Sequence, residues 1–385
     1  MKYCPVYKKC GACAFINTEY EDQLKVKREY IRNLFPHNDV QPVIGMNDPY
    51  HYRHKIYAAF DHHKGRITAN LYEESTHKTV NSEMCLIQHV KANDILTDIC
   101  HIATDMGIES YDETTGRGVL RHAYIRISHH DGSVLLVIVI GSRDLPGSHV
   151  FVKKIRELHP EIETIILNYN HEKTSMILGK REKVLYGKGY ITDTIDGLSF
   201  HISSHTFYQV NPIQTEKLYQ VAIHMASLTK EDNVLDMCCG IGTISLEAAK
   251  HAAYVVGVEV NPYSVKDAEN NAALNHIDNV SFIAEDSARF MHQLDERPDV
   301  VFLDPPRAGF EESFMRDLKR IRPDRIVYIS CNPLTQQRDV KLISDVYEIK
   351  EIQPVDMFPF TKAVETVVSM ITRKPKSNHH VGIDC

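Results

Sequence analysis

The stretch NVLDMCCGIGTISLEAA (233–249) runs from a short apolar strand through a glycine turn into a helix. Gly240 and Gly242 let the backbone come close to a ligand at the carboxyl end of that strand, where parallel α/β sheets bind their ligands. The next strand-like run, YVVGVEVN (254–261), ends with Glu259, placed to accept from both hydroxyls of a ribose. A glycine turn followed by an acid at the end of the next strand points to a nucleoside cofactor. NAD and S-adenosylmethionine both fit. The dinucleotide pattern uses a third glycine to pack the helix onto the sheet. Here the turn reads Gly240-Ile241-Gly242-Thr243-Ile244-Ser245 and lacks it, which favours S-adenosylmethionine. Cys238 lies in the turn and is counted with the cofactor-binding residues. Asp286, in FIAEDSARF (282–290), ends a third strand and is placed to accept from an adenine amino group.

Outward from this unit, strand-like and helical runs alternate. NVLDM, YVVGVEV, NVSFIAE, DVVFLD and RIVYIS (325–330) are separated by helical segments, which predicts an α/β fold with a mostly parallel, Rossmann-like sheet. EIKEIQPVDMFP (348–359) and ETVVSMITR (365–373) read as an antiparallel pair on it. Upstream, residues 14–36 have helical spacing. From about 42 to 205, strands and tight turns dominate. HAYIRISHHDGSVLLVIVIG (122–141) is a hairpin around Asp131-Gly132, and YITDTIDGLSFHIS (190–203) one around Asp196-Gly197. The expected organisation is a mixed α+β domain over 1–205, a methyltransferase domain over 206–373 and a disordered tail over 374–385.

Two further strand ends carry chemistry. DPPRAG (304–309) has two prolines that stiffen a loop holding Asp304 and Arg307 beside a planar substrate. Similar loops occur in enzymes that methylate amino groups, so this one does not name the atom attacked. RIVYISCNP (325–333) brings Cys331 to the same sheet edge. A buried cysteine is usually a small apolar side chain, but next to a methyl donor it has a use. Carbon 5 of uracil is too poor a nucleophile to accept a methyl group unaided. A thiolate adding to carbon 6 turns the ring into an enolate and makes carbon 5 reactive, which is covalent catalysis. The scheme then needs a carboxylate for the carbon-5 proton, and Glu365 in TKAVETVVS is the candidate general base.

With these residues placed, the sequence resembles the RNA 5-methyluridine (uracil-C5) methyltransferases, which act on 23S ribosomal RNA or the T-loop of tRNA. The matching stretches are SSHTFYQVNPIQTEKLY (203–219), VLDMCCGIGTISL (234–246), GVEVN (257–261), FLDPPRAG (302–309), YISCNP (328–333) and DMFPFTKAVETV (356–367). The resemblance implies that Gln209, Thr243, Glu259, Asp286 and Asp304 line the cofactor and uracil pocket. It also implies Cys331 as nucleophile and Glu365 as base. Two positions depart from the family pattern: Ala363 replaces a histidine two residues before the base, and His205 replaces a proline. The match continues upstream in YRHKIYAAF (52–60), with His54 for asparagine, and in GVLRHAYIR (118–126).

Nine cysteines in such a chain suggest metal or catalysis before disulfides. CPVYKKCGAC supplies Cys4, Cys10 and Cys13, and Cys85 follows in NSEMCLIQH. Four thiolates suit zinc or an iron–sulfur cluster. The resemblance implies a [4Fe–4S] cluster, tying residue 4 to residue 85, and 23S ribosomal RNA as the favoured substrate with tRNA as the near rival. The family's N-terminal TRAM barrel is expected to be absent, because the cysteines begin at residue 4. Specificity then falls to the first domain, where Arg53, Lys55, Arg121 and Arg126 are candidate RNA contacts, and base flipping is expected.

Bulk properties agree. The net charge of −7 resides in residues 201–385, with 19 basic and 26 acidic residues, while 1–200 balance at 25 each. RNA must therefore meet local basic patches rather than a global field. No apolar run reaches the roughly 18 residues of a membrane helix, and no leader is evident, so a cytoplasmic monomer is expected. Paired histidines read as surface residues. The remaining rivals are an amino-group methyltransferase, which has no need of Cys331, and a silent RNA-binding protein, for which Ala363 is the only hint.

Overall fold

The computed structural model describes residues 2–373 apart from 74, 75, 77, 82, 83 and 175; the predicted tail lies outside them. In chain order its elements are α1 (Tyr7–Cys10), α2 (Tyr20–Leu34), β1 (Lys55–His63), β2 (Arg66–Tyr72), β3 (Thr79–Asn81), α3 (Val90–Asp105), β4 (Leu120–Ile127), β5 (Val134–Ile140), α4 (Ser148–Leu158), β6 (Ile162–Tyr169), β7 (Arg181–Tyr186), β8 (Tyr190–Ile195), β9 (Leu198–Ser203), α5 (Pro212–Ala226), β10 (Asn233–Met237), α6 (Thr243–Ala249), β11 (Tyr254–Glu259), α7 (Pro262–Leu274), β12 (Val280–Ala284), α8 (Ser287–Gln293), β13 (Val300–Leu303), α9 (Glu312–Ile321), β14 (Arg325–Ser330), α10 (Pro333–Ile343), β15 (Tyr347–Val355) and β16 (Glu365–Thr372).

Seven strands form the first sheet, in the order β3-β2-β1-β4-β5-β6-β7. It is antiparallel except for β5 and β6, which α4 connects in parallel. Every residue of β5 is buried, and the strand's alternation feeds two cores. Leu136 and Ile138 pack under α3 and α4 with Ile99 and Phe151. Leu135, Val137 and Val139 face the other way, into a core shared with Phe200, Leu218, Phe302 and Val327. That double burial is why 134–140 is a continuous apolar run. The Asp196-Gly197 hairpin joins β8 to β9, with positive φ at both turn residues (49° and 80°), as a two-residue turn of the right twist requires.

The second sheet has the order β12-β11-β10-β13-β14-β16-β15. It is parallel from β12 through β14, and β16 runs antiparallel to both β14 and β15. The strand order reverses beside β10, between β11 and β13, which makes a crevice at the carboxyl edge. Three helices at this edge start with Asn-Pro. Asn211, Asn261 and Asn332 cap α5, α7 and α10 with their side-chain oxygens, and the following proline takes the first helical position.

Helix α2 lies on this second sheet, although it precedes the first in sequence. Its buried residues Gln23, Lys27 and Ile31 recur every four positions. Ile31 and Val40 join the core of Leu235, Leu303 and Tyr328, and Val40 and Ile44 bridge to Ile352 and Val355. Residues of α2 and the segment after it thus pack against strands from beyond residue 206. Among the described residues no helix is long and apolar enough to cross a membrane.

Candidate active site

A cleft of about 750 Å³ opens along the carboxyl edge of the second sheet. Gln209, Cys238, Thr243, Glu259, Asp286, Asp304, Cys331 and Glu365 all line it. Most reach it the same way. Cys238, Glu259, Asp286, Asp304 and Cys331 stand at the ends of β10 to β14 or just beyond. Glu365 arrives on the antiparallel strand: Ser330 pairs with Thr366, and the next step of that register sets Cys331 opposite Glu365.

The glycine turn is built for a ligand. Gly240 has φ 56°, and a Cβ there would project into open space. Gly242 has φ 81°, and a Cβ would come within 2.8 Å of the Phe282 ring, so this glycine packs the turn against β12. Cys238 holds φ 65°, a costly conformation for a residue with a side chain. The Glu259 carboxylate accepts from the backbone N–H of Gly240 (3.1 Å) and of Asn261 (2.9 Å), which fixes it against the turn. The Asp286 carboxylate caps α8 by accepting from Arg289 N–H (3.0 Å). Thr243 Oγ1 donates to the Tyr219 hydroxyl (3.1 Å).

The reacting end is acidic. Burial pushes the Asp304 carboxyl up to about 7. Glu365 is pushed up to about 8, by burial first and then by the Asp304 charge, against the opposing Arg307. The Cys331 thiol is also raised, by burial and then by Glu365 and Asp304. Arg307 opposes that rise through its charge and a hydrogen bond to the thiol. Beneath the turn, Asp236 is fully buried and pushed up to about 7 by burial; it accepts from Ser245 Oγ (2.6 Å). A cleft holding so many carboxyls near one guanidinium suits a cationic ligand.

Several residues here were not singled out from sequence. Tyr219, Phe207 and Phe358 line the cleft. Tyr219 sits in a helical pattern that reads as core, and the two phenylalanines sit in loops without periodicity. Phe207 is 63% exposed, and Lys55 Nζ lies 5.4 Å from its ring centre. Burial and the charges of Arg126 and Arg53 push Lys55 down to about 8. Lys55 and Phe207 thus leave a cationic and aromatic rim, while Arg53 lines the cavity of the N-terminal cysteines.

Arg121 and Arg126 correct the sequence expectation. Both are buried and spent on the fold. Arg121 donates to the carbonyls of Asn170 (3.0 Å) and Glu172 (2.9 Å) and pairs with Glu113 (3.2 Å). Arg126 donates to the carbonyls of Tyr208 (3.2 Å) and Thr206 (3.3 Å) and so holds the segment that carries Phe207.

The four N-terminal cysteines converge as well. Cys4, Cys10, Cys13 and Cys85 line one small cavity with Ile16 and Arg53. Cys13 is pushed up to about 12, by burial and then by the charges of the other three. Among the described residues no group of His, Cys, Asp or Glu is gathered tightly enough to hold a single metal ion. Four thiols around one cavity suit zinc or an iron–sulfur cluster in number and kind.

Residues 19–373 match the sequence profile of the tRNA (uracil-5-)-methyltransferase family. The chain belongs to this family. An uncharacterized RNA methyltransferase of Halalkalibacterium halodurans is 38% identical over 374 residues, covering 94% of this chain and 82% of that protein. One from Staphylococcus aureus strain N315 is also 38% identical, covering 94% and 83%. The crystal structure of Pyrococcus abyssi tRNA (uracil-54, C5)-methyltransferase with S-adenosyl-L-homocysteine superposes with a TM-score of 0.78 at 26% identity, over 92% of this chain and 84% of that one. Family and fold together make the chain an S-adenosylmethionine-dependent RNA methyltransferase.

Proposed function

We propose that the chain methylates carbon 5 of one uridine in RNA through a transient bond between the Cys331 sulfur and carbon 6. The observation that carries this reading is that Cys331 and Glu365, each one residue beyond the Ser330–Thr366 pair of β14 and β16, line the same cleft as the glycine turn and Glu259. When bound, S-adenosylmethionine supplies an electrophilic methyl group on a cationic sulfur. Gln209, Cys238, Thr243, Glu259, Asp286 and Asp304 would hold it, and the open space over Gly240 suits its close approach. Cys331 gives its proton to water and adds to carbon 6, and the ring's electron pair moves onto the carbon-4 carbonyl. Carbon 5 then takes the methyl group. Glu365 removes the carbon-5 proton, the ring double bond reforms and the carbon–sulfur bond breaks. A base raised to about 8 is matched to work near neutral pH.

Two targets divide the reading. The arrangement of the four cysteines in sequence resembles that of family members carrying a [4Fe–4S] cluster and favours 23S ribosomal RNA. Likeness to the Pyrococcus abyssi enzyme favours the T-loop of tRNA. In either case residues 1–205 would recognise RNA, with Lys55 and Phe207 at the rim and Arg53 beside the cysteines, and 206–373 would transfer methyl, as a cytoplasmic monomer. Cys4, Cys10, Cys13 and Cys85 would hold the cluster, which would tie the chain's start to residue 85. Incubating the protein and tritiated S-adenosylmethionine with each unmodified RNA tests the reaction and its target. Tritium is expected in 5-methyluridine of one RNA and absent with Cys331→Ala. Tritium in an amino-methylated base, or undiminished transfer by Cys331→Ala, overturns the reading.

A further inference from the structure

Among the described residues none donates a hydrogen bond to the Glu365 carboxylate; what acts on it is burial, Asp304 and Arg307. Its position therefore depends on its backbone. Glu365 opens β16, and its cross-strand partner is Val355, the last residue of β15. Asp356 follows, with 0% of its surface exposed. Between Asp356 and Glu365 the chain loops past the cleft, which Phe358 and Ala363 line.

This loop is held from behind by α2. Lys27, 2% exposed, donates to Asp356 Oδ1 (2.6 Å) and to the Phe358 carbonyl (3.1 Å). Tyr20 donates its hydroxyl hydrogen to Asp356 Oδ2 (2.9 Å). Asp356 Oδ1 also accepts from Phe358 N–H (3.3 Å), so the ion pair grips both backbone groups of a cleft residue. The Phe358 carbonyl accepts further from Thr361 Oγ1 (2.8 Å), which accepts from Ala363 N–H (3.2 Å). Gln23 accepts from Phe360 N–H (3.0 Å). Phe360 holds φ 67° and packs with Tyr52 and Ile16, beside Cys13 and Cys85. A buried ion pair loses more when one partner is removed than it contributes when whole, so each partner commits the other to place.

We propose that Lys27, with Tyr20, is a positioning residue for proton abstraction: through Asp356 it sets the loop that aims Glu365 at the substrate carbon. The proposal rests on the reading of Glu365 as base, and the chemistry separates its failure from other failures. Attack by Cys331 and methyl transfer precede the base, so a misplaced Glu365 stalls the enzyme as a methylated covalent adduct.

The test incubates full-length Lys27→Met and Tyr20→Phe with unmodified substrate RNA and S-adenosylmethionine, and reads turnover, KM for RNA and the denaturant-stable protein–RNA adduct. Glu365→Gln serves as reference. For Lys27→Met, kcat is expected to fall ~10- to 100-fold, with KM within about twofold and adduct accumulating as in Glu365→Gln. Tyr20→Phe, which loses one hydrogen bond, shifts the same way by a few-fold and decides alone if Lys27→Met does not fold. Unchanged kcat in the folded variants, or loss of turnover without adduct, overturns the proposal. If Glu365→Gln itself accumulates no adduct, the assignment of Glu365 as base has failed, and this proposal with it.

Discussion

The cleft and the cysteine cavity both gather sequence-predicted residues, but by different means. Most of the cleft residues stand at the ends of the parallel strands β10 to β14, with Glu365 brought in on antiparallel β16, and backbone pairing sets their spacing before any ligand arrives. The cysteines come from a four-residue helix, its flanking loops and a loop at residue 85. Little regular structure holds them, and burial and the neighbouring thiols raise the cost of ionising Cys13. One site is preorganised by the sheet. The other gathers thiols around a small cavity, with Cys13 held in its neutral form by burial. The comparison predicts that the cleft keeps its ligand affinity when the cavity is damaged.

The sharpest break is at the nucleophile. Cys331→Ala should lower methylation on the order of 10³-fold or more and abolish covalent capture of RNA carrying 5-fluorouridine, while binding of S-adenosylmethionine stays within about twofold. Next comes Glu365→Gln, expected to slow turnover by about 10²- to 10⁴-fold while the adduct still forms. Glu365, Asp304 and Asp236 also tie stability to pH. Their carboxyls titrate higher folded than unfolded, so the folded state binds more protons between the two values. Stability without ligand should therefore be greatest at low pH within this window and decline as pH rises towards about 8. A melting series from pH 7 to 8.5, above the range where the buried His54 and His122 contribute with the opposite sign, reads the slope, and Glu365→Gln should flatten its upper end. A slope of opposite sign would contradict the burial argument.

A smaller effect is expected at the cavity. Cys13→Ser should abolish bound iron and sulfide in protein purified without air and lower the melting temperature by about 4 °C or more. Affinity for S-adenosylmethionine should stay within about twofold. If the cofactor affinity collapses together with the metal, the two sites are not independent and the comparison fails.

How much of this was legible in the sequence follows the same division. Gly240, Glu259, Asp286, Asp304 and Cys331 could be read because a parallel sheet delivers successive strand ends to one edge. The β16 register then explains why Glu365, distant in sequence, meets Cys331. The seat of α2 was not legible. Its buried stripe contains Gln23 and Lys27, which look like solvent residues in a helix rich in charge, and only the distant Asp356 accounts for a buried lysine. Arg121 and Arg126 misled for a related reason. Their partners are mostly backbone carbonyls, and a sequence does not announce which carbonyls lack a donor.

The smallest effect concerns His205, the position at which the sequence departs from the proline that its family resemblance implies. Its Nε2 lies 3.3 Å from Glu182 Oε1, and that carboxylate raises the imidazole above its ordinary value. Glu182 is already held by Asn168 Nδ2 (2.8 Å) and Ser204 Oγ (2.7 Å), so it remains in place without the histidine. The pair is half exposed, which limits its contribution to a few tenths of a kcal/mol. Because the folded imidazole titrates higher than the unfolded one, this contribution is full below about 6.5 and is lost as pH rises through the folded value. His205→Ala should therefore lower the melting temperature slightly at pH 6 and not at pH 8.5, with methylation within about twofold of the parent. A larger loss at pH 8.5 would mean that the histidine shapes the neighbouring rim around Phe207 rather than pairing with β7, and the rim would then join the cleft as a site preorganised by the fold.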